Sequence, residues 1–123
     1  MPIAFQYLLK FPLLQDLPQD TLMRLSAQMD DRLFARREVL STKEQTHFAL
    51  GFLVSGRLQG VDEAVDGRSV GLFFVEPGDF FGELSVVDGK PAAEHVVAVS
   101  KSRALFLEAS VARRLIFEQP SIA

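Results

Sequence analysis

The sequence predicts a mainly β domain with α-helices confined to its two ends, and three observations predict it. Four glycines, Gly56, Gly67, Gly78 and Gly89, recur at every eleventh residue. Short runs rich in Val, Phe and Leu lie between and beside them, as strands require. From Phe5 to Met29, and again after Glu108, the apolar residues change to helical spacing. Glycine supplies the positive φ that tight hairpin turns need, and a turn every eleven residues leaves room for strands of ordinary length. Successive short strands of this kind form an antiparallel sandwich, roll or barrel. The residues between the turns are dissimilar, so the rhythm is not that of a repeat protein.

The N-terminal zone comes first. Leu22, Leu25 and Met29 fall on one helical face, with Pro18 and Asp20 suited to a first turn. Phe11-Pro12 interrupts the zone, because proline lacks a backbone donor and restricts the residue before it. A short helix, a break and a second helix are expected. Strands are then expected at Phe48–Val54, Val70–Val75, His95–Val99 and Ala104–Leu107. The turns between them carry Ser55-Gly56, Asp66-Gly67, Pro77-Gly78 and Asp88-Gly89. A closing helix follows Glu108, with Val111/Leu115 and Ala112/Ile116 as i, i+4 pairs, Arg113 and Arg114 on the outer face, and Ser110 as its cap. It meets Gln119-Pro120, and the chain ends three residues later, which reads as a cut.

Composition narrows the function. The 123 residues are 48% apolar and 24% charged, the balance of one soluble globular domain. There is no cysteine, which excludes disulfides, thiol nucleophiles, iron–sulfur clusters and Cys-based zinc sites and fits a reducing, cytoplasmic setting. No apolar stretch approaches the roughly 20 residues of a membrane span, and the start Met1-Pro2-Ile3-Ala4-Phe5 carries no basic region of an export signal. The net charge of −3 gives the chain as a whole no positive field for nucleic acid.

One segment carries chemistry. Gly82 followed by Glu83, Leu84 and Ser85 offers a glycine turn opening into a helical turn, whose free backbone N–H groups can face an anion. Taken alone, the same residues fit an ordinary connection between strands.

Three stretches then resemble the cyclic nucleotide-binding domain of the catabolite-activator and fumarate-nitrate-regulator (CRP/FNR) family of transcription regulators. Phe11-Pro12-Leu13-Leu14-Gln15-Asp16-Leu17-Pro18 looks like that family's lead-in to its first long helix. Phe52-Leu53-Val54-Ser55-Gly56-Arg57-Leu58 is similar to its strand-turn-strand signature. Glu76-Pro77-Gly78-Asp79-Phe80-Phe81-Gly82-Glu83-Leu84 resembles the entry to its phosphate-binding cassette. The resemblance spans nearly the whole chain, in family order and spacing. It implies a jelly-roll-like β-roll (a double-stranded β-helix) flanked by helices. It also implies that Glu83 would accept from a ribose 2′-hydroxyl, with Gly82, Leu84 and Ser85 at the cyclic phosphate.

The chain departs from the family at the next step. Family members continue with Pro-Arg and a small residue, the arginine pairing with phosphate. Here Pro91 is followed by Ala92 and Ala93. Arginine makes a bidentate, charge-assisted contact with phosphate, so its loss implies weak or absent binding of cyclic AMP. Between Glu76 and Glu94 stand five acids and one base, Lys90, which opposes an anion further. Lys90 or a protonated His95 offers only a point charge. A second departure is Glu44-Gln45-Thr46, where the family usually has glycine after the glutamate.

Other chemistries find little support. His47 and His95 are the only histidines and stand far apart, with no His-x-His pair for a cupin-like metal site. The serines, Ser102 among them, lack a nucleophile elbow. The eleven phenylalanines, including Phe73-Phe74 and Phe80-Phe81, read as core.

Residues 1–123 are therefore expected to form one sensor domain, cut before a dimerisation helix and a DNA-binding domain. No enzymatic activity, metal or obligatory cofactor is expected. An unknown small effector, DNA contact only through the following domain, no membrane contact and a homodimeric intact protein complete the reading. A protein-interaction or regulatory module of a channel, kinase or transporter is the alternative, and a cupin-like metalloenzyme a third.

Overall fold

The computed structural model describes residues 5–41, 49–63, 69–83, 86 and 95–118. A short 3-10 helix, Phe5–Lys10, precedes α1, Gln19–Gln28. The strands are β1 Asp30–Phe34, β2 Val39–Ser41, β3 Ala49–Ser55, β4 Leu58–Glu63, β5 Ser69–Val75, β6 Phe80–Phe81, β7 His95–Ala98 and β8 Ser102–Glu108. Helix α2, Ala109–Glu118, follows without a break. The helix-break-helix expectation holds, and all four expected strand regions are strands. Pro18 stands just before α1 rather than in its first turn, because its ψ of 147° is extended; its carbonyl accepts from Leu22 N.

The strands pair antiparallel in two four-stranded sheets, β1-β8-β3-β6 and β2-β7-β4-β5. Strands β3 and β8 are buried on both faces, which is why their sequences read as continuous apolar runs rather than alternation. Leu53 and Ala104 face the second sheet, in a core with Phe34, Leu58, Val75, Phe81, Val96 and Ala98. Leu50, Phe52, Leu105 and Leu107 face outward and are covered by the N-terminal segment and α2 through Phe11, Leu14, Leu22, Leu25, Ala112 and Leu115. The jelly-roll expectation is met.

Two turn glycines show why glycine stands there. Gly56 has φ +90° and Gly78 φ +97°. A Cβ on Gly56 would lie 2.2 Å from Ser102 Oγ. That hydroxyl is buried, donates to Ser100 O at 2.8 Å and accepts from Arg57 N at 3.2 Å. Ser102 thus holds a turn together. Gly67 and Gly89 lie outside the described residues.

Two expectations are corrected. Phe73, Phe74 and Phe80 are exposed, not core. Phe74 projects from the outer face, where the Arg57 guanidinium stacks on it at 3.7 Å. Phe73 pairs with Gly60 on the inner face and lays its ring where a Gly60 side chain would be. Ser110 is not the cap of α2: it lies within the helix, and its hydroxyl donates to Glu108 Oε1 at 2.9 Å.

Candidate functional site

The site is built from β6 outward. Phe80 and Phe81 pair with Phe52 and Gly51 of β3. The Phe81 ring occupies the space of the missing Gly51 side chain and meets Phe106 edge-on at 5.7 Å. The approach to β6 is equally fixed. In the turn Glu76-Pro77-Gly78-Asp79, Asp79 N donates to Glu76 O and Glu76 N donates to the Asp79 carboxylate, both at 3.0 Å. Pro then Gly with positive φ is the chemistry such a turn demands. Gly78 N and Asp79 O both bond to Leu53, clamping the turn to β3.

Gly82 follows with φ +82°, and a Cβ there would lie 2.7 Å from the Ala49 carbonyl oxygen. Only glycine fits both the dihedral and the space. A helical turn then begins at Glu83, and Val86 N donates to Gly82 O at 3.4 Å. Val86 is fully buried in the helix-side core with Leu50, Phe52, Ala112 and Leu115. Burial of a side chain of this size contributes roughly 1.5–3 kcal/mol, which holds the turn against the body of the domain. Its carbonyl accepts from Arg113 Nε of α2 at 2.7 Å. Arg113 is exposed as the helical spacing predicts, yet it reaches back to the turn, a contact that spacing within one helix does not reveal.

Of the expected site residues, Gly82 and Glu83 stand in the turn that follows β6; Leu84, Ser85, Ala92 and Ala93 lie outside the described residues, as do Lys90 and His47. Glu83 is half-buried, and its carboxylate has no hydrogen-bond or ion-pair partner among the described residues. The nearby acids have other roles: Glu76 binds Arg57 Nε at 2.8 Å, and Asp79 serves its turn. His95 is half-buried on β7 and has a partner. Among the described residues no group of three His, Asp or Glu side chains could hold a metal ion. None of their helices is long and apolar enough to cross a membrane.

A second polar assembly ties the N-terminal segment to the sheet. Arg103 on β8 donates from Nε and Nη2 to the two oxygens of Asp31 on β1, at 2.9 and 2.6 Å, and its guanidinium lies 5.2 Å from the Tyr7 ring. The Arg103 hydrogen bonds hold the Asp31 carboxyl below the usual carboxylate range, and those to Asp31 push Arg103 up in return.

Two antiparallel sheets closed around an apolar interior, with a glycine-led helical turn between β6 and β7, define the class: an eight-stranded β-roll with flanking helices. The chain belongs to the cyclic nucleotide-binding domain family, whose model matches residues 31–119. It is 26% identical over 109 residues to the CRP-like cAMP-activated global transcriptional regulator of Mycobacterium tuberculosis, covering 89% of this chain and 49% of the regulator. It is 29% identical over 117 residues to a Rhodopseudomonas palustris protein named as a potassium channel protein, covering 93% of this chain and 27% of that one. The solved catabolite activator protein of Thermus thermophilus superposes with a TM-score of 0.76 at 23% identity, covering 90% of this chain and 52% of that chain. The chain thus spans about half the length of the mycobacterial regulator it matches. The CRP/FNR-type resemblance read from the sequence agrees with these matches.

Proposed function

We propose that residues 1–123 are the ligand-sensing domain of a CRP/FNR-type transcription regulator whose phosphate-binding cassette is degenerate, so that cyclic nucleotides bind weakly or not at all. The observation that carries this reading is the anchored Gly82-Glu83 turn, in which half-buried Glu83 has a carboxylate without a partner among the described residues, where a ribose hydroxyl would donate. Ala92 and Ala93 stand where the family has its arginine and small residue, with Leu84 and Ser85 beside the phosphate position. Loss of one partner of a buried ion pair costs roughly 3–5 kcal/mol, about a hundredfold to a few thousandfold in affinity. Arg57, in the strand-turn-strand stretch, is held by Glu76 and Phe74.

In this reading the domain is not an enzyme, works in the cytoplasm and touches DNA only through a following domain of a homodimer. Its effector would bias the helix that continues from α2 and so reorient the DNA readers. The likeness to the R. palustris protein favours a second reading, a regulatory module of a channel on the same roll.

Calorimetry with cyclic AMP and cyclic GMP tests the first reading. Affinities no tighter than roughly millimolar are expected, and Ala92→Arg should raise them by up to about a hundredfold. Micromolar binding by the unaltered domain would refute it.

A further inference from the structure

At the far end of the roll from Gly82, the β1–β2 turn and the loop before β8 enclose a groove of about 450 Å³ lined by Leu33, Phe34, Ala35, Arg36, Glu38 and Lys101. The register fixes this placement. Gly82 packs on Ala49 at the start of β3, whereas Arg103 pairs with Ser55 at its end, a strand length of about 20 Å away. The groove and the Glu83 turn share no residue.

We propose that this groove docks an acidic, amphipathic segment of another protein. Charge is the first argument. Arg36 and Lys101 line the groove, Arg37 stands between Arg36 and Glu38 in its turn, and all three are exposed with no ion-pair partner among the described residues. Of the nearby acids, Asp31 is held by Arg103, while Glu38 accepts from Ala35 N at 3.1 Å, keeps its charge and is outnumbered by these cations. Within a chain of net charge −3, the described residues of this turn and loop thus gather positive charge.

The second argument is Arg37 itself. Its φ of 74° lies in the left-handed region, where glycine is the default residue. The turn is set by backbone bonds, Arg37 N to Ala98 O at 2.7 Å, Ala98 N to Glu38 O at 2.9 Å and Glu38 N to Ala35 O at 3.0 Å. None of them needs an arginine side chain. A strained cation at the tip of a turn points to a partner that uses it.

The third argument selects the occupant. Leu33, 68% exposed, lines the groove with Phe34 and Ala35 as its apolar part. A nucleic-acid backbone offers phosphates to the cations and nothing to these apolar side chains. A peptide that alternates carboxylates with apolar side chains satisfies both.

Amide-shift titration of the whole chain with a synthetic peptide of about twelve residues alternating leucine and glutamate tests the proposal. A polyglutamate of equal charge and a short DNA duplex run in parallel. The expected result is saturable shifts confined to residues 33–39 and 99–102, weakening with added salt. Affinity for the alternating peptide should exceed that for either control at least about tenfold. Arg36→Glu combined with Lys101→Glu should abolish binding without lowering the melting temperature. Arg37→Gly should lower affinity while the melting temperature holds or rises, an outcome a purely structural arginine would not give. Equal binding of polyglutamate, tighter binding of the duplex, or no shift in these segments would each overturn the proposal.

Discussion

Replacing Arg113 with methionine removes the side-chain hydrogen bond by which α2 grips the Glu83 turn, while keeping an apolar stem of similar length. A hydrogen bond from a charged donor contributes roughly 1.5–3 kcal/mol. The bond lies near the surface, and water can re-solvate the freed Val86 carbonyl, so the low end, about 1.5 kcal/mol, is the working figure. For 123 residues at about 2.1 cal/mol/K each, the unfolding entropy is roughly 0.26 kcal/mol/K, and the melting temperature should fall by about 6 °C. Calorimetric melting supplies that number. Hydrogen exchange supplies the location: protection at Val86 N, which donates to Gly82 O, should drop while that of the β1–β8 ladder stays. Arg113→Lys should fall between the two proteins, since an ammonium can donate but lacks the fixed fork. A melting shift under about 1 °C with unchanged exchange at Val86 would refute the claim that Arg113 fastens the turn.

Two further perturbations follow from the same geometry. Gly82→Ala should destabilise the domain by more than about 2 kcal/mol in urea titration, because left-handed φ costs roughly 1–2 kcal/mol for a side-chain-bearing residue and the new Cβ meets the Ala49 carbonyl; a loss under about 0.5 kcal/mol would mean that the turn relaxes freely. Asp31→Asn should cost about 0.5–1 kcal/mol at neutral pH. Because Arg103 depresses the folded carboxyl, its contribution is present above the ordinary value of about 3.9 and is lost as pH falls through the depressed one, so the two proteins should converge in stability in strong acid. A difference that stays constant down the pH scale would sink this account.

The roll was legible because its turns are chemically demanding. Gly56 and Gly78 have positive φ, and the Glu76–Asp79 turn uses Pro, Gly and a carboxylate in the places their chemistry dictates. The apolar runs of β3 and β8 announced strands buried on both faces. Phenylalanine, by contrast, does not say which face it takes. Phe74 ended outside, under Arg57, and Phe73 fills the place of a Gly60 side chain, although both lie in a strand called correctly from composition. Helical periodicity places Arg113 on the outer face, where it is, but describes the helix alone, whereas its acceptor belongs to a turn 27 residues earlier. The gathered positive charge was invisible for another reason. Net charge sums over the chain, while the bonds joining Arg37 and Glu38 to Ala98 bring cations distant in sequence onto one surface.

The division of the apolar interior into two cores bears on how a signal could leave the Glu83 turn. Phe81, just before Gly82, belongs to the core between the sheets with Phe34, Leu53 and Val96. Val86, on the other side of Gly82, belongs to the helix-side core with Leu50, Leu107, Ala112 and Leu115. Close-packed side chains pass strain to the side chains they touch. A shift of the helical turn therefore acts first on Val86, then on Ala112 and Leu115, and through Arg113 on the backbone of α2 itself. The inter-sheet core lies on the other face of β3 and β8, and the Phe81 ring fills the space over Gly51. Gly82 sits between a fixed strand and a turn fastened to a helix, and the helix is the element through which movement of that turn would reach whatever α2 contacts.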